Sequence, residues 1–161
     1  MRWLQRSAAV LIFLPLVCAP ANATDKLPFT LTISGPESGT VGDEIRISAV
    51  LKNLSNQTVQ IEWGIQHTVL IHAENGEEPR PKPGLRVYAG STGRLSLAPG
   101  QTSLQYVIVS GEHGDYDLSK PGKYVVRLQR PMDDAGYPKG SVIESNPIII
   151  TIVPKQHGES K

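Results

Sequence analysis

From Pro28 onward apolar and polar residues alternate with a period of two, and no stretch longer than ten residues keeps a helical period. Leu31 and Ile33 lie to one side of a segment running from Pro28 to Ser34, with Thr30 and Thr32 on the other. Gly35-Pro36 breaks that segment, and Val41-Gly42-Asp43 turns the chain. Ile45, Ile47, Ala49 and Leu51 then oppose Glu44, Arg46, Ser48 and Lys52, the signature of a strand with one face in an apolar interior and one in water. After a polar turn at Asn53–Asn56, Val59, Ile61 and Trp63 alternate with Gln60 and Glu62, and Val69 and Ile71 with Leu70 and His72.

Turn residues separate the remaining segments. Asn75-Gly76 is a strong turn signal, and the three prolines between Glu77 and Gly84 read as a loop. Leu85–Tyr88 reads as a short edge strand. Arg94–Leu97 leads into Ala98-Pro99-Gly100, where proline sets φ and glycine permits a positive one. Leu104–Val109 and Tyr124–Gln129 are strands separated by a polar loop from Gly111 to Gly122. A long loop rich in glycine and proline, Pro131–Asn146, precedes a last β-branched strand, Pro147–Val153, and a polar tail from Lys155. Seven or eight short antiparallel strands at this spacing predict an all-β sandwich in one domain.

The placement of four residues makes that sandwich immunoglobulin-like. Gly122 stands two residues before Tyr124 at the start of the penultimate strand, the pattern of a tyrosine corner, in which the phenol hydrogen-bonds backbone a few residues upstream. Val126 falls where immunoglobulin domains carry their second disulfide cysteine, and Ala49 precedes Trp63 by roughly the spacing from the first cysteine to the buried tryptophan. The expectation is a Greek-key, immunoglobulin-like β-sandwich with aliphatic packing in place of the disulfide.

Several turn and strand-edge motifs carry a resemblance as well. Val41-Gly42-Asp43-Glu44-Ile45, Leu51–Asn56, Leu97-Ala98-Pro99-Gly100-Gln101, Tyr116–Tyr124 and Ser145–Ile149 resemble a group of exported, uncharacterised bacterial proteins. That group is similar in turn to immunoglobulin-like domains of the intracellular proteinase inhibitor family and of bacterial adhesion proteins. The resemblance covers nearly the whole chain beyond the first segment. It implies a fold and assigns no functional residue.

The first 23 residues follow a different rule. Arg2 and Arg6 precede an apolar run of about 12 residues, Ala8–Ala19, and Ala21-Asn22-Ala23 supplies the small-x-small pattern that signal peptidase cleaves. The run is shorter than the ~20 apolar residues of a membrane span. The predicted organisation is a signal peptide over 1–23, the sandwich over 24–154 and a flexible tail over 155–161, in a secreted or periplasmic protein with no membrane span after cleavage. Lipidation at Cys18 is the alternative, although Pro15 and Val17 fit a lipoprotein motif poorly. Cys18 is the one cysteine, so cleavage after Ala23 leaves no thiol for a disulfide, a haem link, a zinc site or nucleophilic catalysis.

Charge adds little. The chain holds 16 Lys and Arg against 15 Asp and Glu, and loss of Arg2 and Arg6 takes the net charge from +1 to about −1. No basic stripe suggests a nucleic-acid partner. Sequons at Asn22, Asn53 and Asn56 matter only in a eukaryotic secretory pathway.

The search for chemistry yields candidates rather than a motif. His67, His72, His113 and His157 have no nucleophile and orienting group at a recognisable spacing and read as surface histidines. Blue copper needs a cysteine thiolate, and His67 and His72, five apart on a strand, face opposite ways. Glu112, Asp115 and Asp117 offer hard oxygen ligands for calcium, near Glu37, Asp43 and Glu44 if the loops converge, without the spacing of a known calcium loop. No cofactor is expected. The long loop is the strongest recognition surface, with Tyr137 as an aromatic anchor among Asp133, Asp134 and Lys139. The sequence therefore points to a non-enzymatic binding or assembly module, acting on an unknown protein or surface polymer through loops or a strand edge. A protease inhibitor presenting a loop is the alternative, and an envelope enzyme the remote one.

Overall fold

The computed structural model describes residues 27–63, 67–82 and 93–155, apart from the side chain of Trp63. The expected edge strand at Leu85–Tyr88, the burial of Trp63, the signal segment and all of the tail beyond Lys155 lie outside the described residues. The strands are β1 (Phe29–Ser34), β2 (Ser38–Thr40), β3 (Ile45–Asn53), β4 (Val59–Trp63), β5 (Thr68–Ala73), β6 (Gly93–Leu97), β7 (Thr102–Ser110), β8 (Gly122–Pro131), β9 (Val142–Glu144) and β10 (Ile148–Val153), with one 3₁₀ turn at Asp133–Ala135.

One sheet has the order β1-β3-β7 and the other β2-β10-β8-β5, with β9 also on β8; β4 and β6 form a separate pair. All pairings are antiparallel except β2 with β10. The first strand thus changes sheets: β1 lies on β3, and after Gly35-Pro36 the chain crosses to run parallel to β10 as β2. That three-residue strand was not legible in the sequence.

Alternation fixes the register. Phe29, Leu31 and Ile33 of β1 and Ile45, Ile47, Ala49 and Leu51 of β3 are buried, facing Val69, Ile71, Tyr124, Val126, Leu128, Ile150 and Ile152 of the other sheet's strands in one core. Burying a large aliphatic side chain is worth roughly 1.5–3 kcal/mol. A one-residue slip of β3 would turn two isoleucines and a leucine to solvent, a loss of roughly 5–9 kcal/mol, comparable with the whole stability of a domain. Ala49 and Val126, the positions of the missing disulfide, are both in that core, at 2% and 0% exposure.

The tyrosine corner is present: the Tyr124 hydroxyl donates to the Lys120 carbonyl at 2.7 Å. Where β3 meets the end of β7, the register shifts between Ile45 and Arg46, and the chain leaves β7 through Gly111 at φ +99°. A Cβ on Gly111 would stand 2.7 Å from the Glu44 Cα, so both backbone angle and space require glycine there.

Asn53, expected in a solvent-exposed turn, is instead the buried last residue of β3, with no exposed surface. Its Nδ2 donates to the carbonyls of Gln57 (2.8 Å) and Leu97 (2.9 Å), and its Oδ1 accepts from the Ser55 amide (2.9 Å) and hydroxyl (2.7 Å). One carboxamide thus ties the turn after β3 to the end of β6, and this sequon is closed to glycosylation. Asn53→Ala leaves several backbone groups unpaired and should destabilise the domain by roughly 2–3 kcal/mol, read as a lowered urea midpoint with unchanged slope.

Candidate functional site

The loop after β8 is built more tightly than a free recognition loop. Met132 is fully buried, Tyr137 stacks edge-on against Phe29 with ring centroids 5.7 Å apart, and Val142–Glu144 returns to β8 as β9. The expected irregular loop Pro131–Asn146 therefore holds a 3₁₀ turn and a strand. Asp133 and Lys139 are exposed, whereas Asp134 is drawn inward. The structure does not gather the four candidate binding residues into one surface.

Asp134 meets Arg130, the last inward-facing residue of β8. Their side chains are 5% and 1% exposed. Arg130 Nη1 and Nη2 donate to Asp134 Oδ1 and Oδ2 at 3.0 and 2.7 Å, a two-pronged pair. Nη1 also reaches the Pro131 carbonyl at 2.7 Å, and Asp134 Oδ2 accepts from the Glu62 amide at 2.7 Å. The pair therefore joins β8, its following turn and the end of β4. Burial pushes the Asp134 carboxyl up, but the hydrogen bonds from Arg130 and the Glu62 amide, together with the guanidinium charge, outweigh it and leave the carboxyl below its ordinary value.

His67 is not the surface histidine the sequence suggested. It is 6% exposed, on the inward phase that continues through Val69 and Ile71, while His72 faces out. Burial, and then the charge of Arg130, hold its pKa down to about 4. The imidazole is neutral at pH 7 and stands near a buried cation. The two histidines face opposite ways, as their spacing required, and cannot share a metal.

A second surface lies at the tyrosine-corner end. Segments 73–80 and 117–124 enclose an open groove of about 810 Å³. Its walls carry Lys120 paired with Glu77 at 2.5 Å and Lys123 with Glu74 at 3.9 Å, beside Glu78, Arg80 and Asp117. Hydrogen bonding from Lys120, then its charge, lower the Glu77 pKa, while burial raises that of Tyr124 and keeps its phenol a donor. The rim is fixed to the sheet: the Glu74 amide donates to the Lys123 carbonyl at 2.9 Å and the Asp117 amide to the Arg80 carbonyl at 2.9 Å. The groove was missed because its residues lie in two turns that no single stretch of sequence brings together.

The acidic loop does begin beside the first inter-strand turn, where Gly111 lies against Glu44 and the Ser110 hydroxyl at the end of β7 donates to the Asp43 carbonyl at 3.1 Å. Three of the candidate carboxylates in the loop and the turn have partners of their own. Asp43 accepts the Thr40 amide, Glu44 pairs with Arg46 at 2.8 Å, and Asp117 accepts the Ser119 amide. Among the described residues no group of three or more His, Cys, Asp or Glu side chains converges as metal ligands, and no helix is long and apolar enough to cross a membrane.

The sheet-switching first strand, the tyrosine corner and the sheet order define a Greek-key, immunoglobulin-like β-sandwich without a disulfide. No protein-family model matches the chain, and no curated protein matches it. Among solved structures it is similar to the CARDB domain of a Pyrococcus furiosus protein. The solution structure of that domain is 15% identical with a TM-score of 0.45, over 78% of this chain and 94% of that one. A crystal structure of the same domain in complex with di-metal ions gives 14% and 0.44, over 79% and 94%. A β-glucosidase from Erythrobacter marinus gives 15% and 0.43, over 78% of this chain and 15% of the enzyme. Likenesses at this level transfer neither metal binding nor glycoside chemistry. No family model or curated relative supports the exported or proteinase-inhibitor part of the sequence resemblance.

Two outcomes test the buried polar cluster. Asp134→Asn leaves the Arg130 charge buried and unneutralised and should cost about 3–5 kcal/mol in urea denaturation, whereas Arg130→Met combined with Asp134→Leu should cost much less. The pH dependence has a defined sign. His67 has a folded pKa of about 4 against 6.5 in the unfolded chain, so the unfolded state takes up the proton first. Its share of the stability is complete above pH 6.5 and lost as pH falls to 4, about 3 kcal/mol in all. Denaturation at pH 7 and pH 4.5 should show this fall, and His67→Leu should flatten it.

Proposed function

We propose that this chain is an exported, non-enzymatic binding module whose groove between segments 73–80 and 117–124 receives part of a protein or surface polymer. The observation that carries this reading is the groove itself: an open concavity of about 810 Å³ on a rim pinned by the tyrosine corner. Two of its lysines are paired with carboxylates, Lys120 with Glu77 and Lys123 with Glu74. Exposed pairs of this kind are weak and can re-partner with a polar ligand, and a lysine held by a carboxylate is a poor proton shuttle. Pre-organised walls lower the ordering cost of binding. Export is supported by the basic, apolar and small-residue succession from Arg2 to Ala23.

Site-specific crosslinking in the native host tests both parts. A photo-reactive residue in place of Asn75, on the groove rim, should form a discrete adduct, and one in place of Lys139 should form none. The protein recovered with that adduct should be in the cell envelope or medium and begin at Thr24. Adducts from Lys139 alone would move binding to the loop after β8, the surface expected of a protease inhibitor. An uncleaved cytosolic chain would overturn export.

A further inference from the structure

Between the sheets, beside the Arg130–Asp134 pair, lies a second, much smaller cavity of about 10 Å³. Ala49 and Leu51 of β3, Ser103 and Gln105 of β7, Arg130 of β8 and His67 form its wall. Four side-chain atoms of these residues are buried with no hydrogen-bond partner among the described residues: both ring nitrogens of His67, the Ser103 hydroxyl and the Gln105 carbonyl oxygen. His67 and Ser103 are only 6% and 5% exposed. Buried polar atoms in folded proteins are nearly always paired, because each bare one forfeits its hydration without return. Here four of them share one small space that six residues from facing sheets enclose.

We propose that this cavity is a built hydration site, holding one water molecule among His67, Ser103 and Gln105. Donor and acceptor chemistry selects that occupant. A neutral imidazole offers one donor and one acceptor, a serine hydroxyl offers both, and the glutamine carbonyl only accepts. The ligand must therefore donate and accept at once, which water does with two bonds of each kind. A metal cation would face the Arg130 guanidinium, and an anion would face the Gln105 oxygen and an imidazole lone pair. The volume is at the lower end of what one water needs and too small for an organic ligand. The water completes a polar column across the sandwich, from Gln105 on one sheet to Arg130 on the other.

A high-resolution crystal structure of the processed protein tests the assignment. The expected result is one solvent peak within hydrogen-bond distance of Ser103 Oγ, Gln105 Oε1 and a His67 nitrogen. In solution, long-lived magnetisation transfer from water to the amides around Ser103 should be present and should disappear in Ser103→Val, whose methyls fill the space. An empty cavity, a direct Ser103–Gln105 bond with the His67 ring turned away, or a peak with a metal's anomalous signal would overturn the proposal. So would a water signal that survives unchanged in Ser103→Val.

Discussion

A sandwich without a disulfide must close its ends by other means, and here the means is a set of inward polar side chains that complete the hydrogen bonds left open where strands stop. Apolar burial holds the two sheets face to face, but it is non-directional and does not say where a strand ends. Asn53 does so at the end of β3, where its carboxamide serves Gln57, Leu97 and Ser55. Arg130 does so at the end of β8, where it joins the Pro131 carbonyl to Asp134. Ser145 does so between β9 and β10, its hydroxyl accepting the Leu128 amide at 2.9 Å. Tyr124 does so at the opposite end of β8.

This arrangement decides what the loops can do. The segment after β8 is long, which suggested recognition, and a buried ion pair, a methionine in the core and a tyrosine against Phe29 hold it down. The tyrosine-corner end is different. There the backbone is fixed while the charged side chains on its rim remain in solvent, which leaves a shaped and adjustable surface.

Much of the fold was legible because period-two alternation has one physical cause, a half-buried strand, which β1 and β3 follow, and because an unbroken β-branched run such as β10 favours a strand as well. The tyrosine corner was legible because Gly122-Lys123-Tyr124 sits at a fixed offset from a strand. The buried polar residues were not, since a polar side chain at a strand end reads as the start of a turn. A signal was nonetheless available. Arg130 continues the inward phase of Tyr124, Val126 and Leu128; Asn53 continues that of Ile45 to Leu51; His67 precedes Val69 and Ile71 in step. A polar residue in phase with buried neighbours, at either end of a strand, marks an internal tie. The groove had no such signature, because it depends on which turns the sheet order places side by side.

Asn146 shows one further effect of these ties. Its side chain both accepts from the Ile33 amide at 2.8 Å and donates to the Ile33 carbonyl at 3.1 Å, in the manner of a neighbouring strand. A border strand with a bare ladder invites another chain to dock and continue the sheet, the first step of fibril growth. On β1 that rung is already occupied by the molecule's own carboxamide. An intruding segment would have to evict it first, so the chain carries its own stopper against uncontrolled stacking.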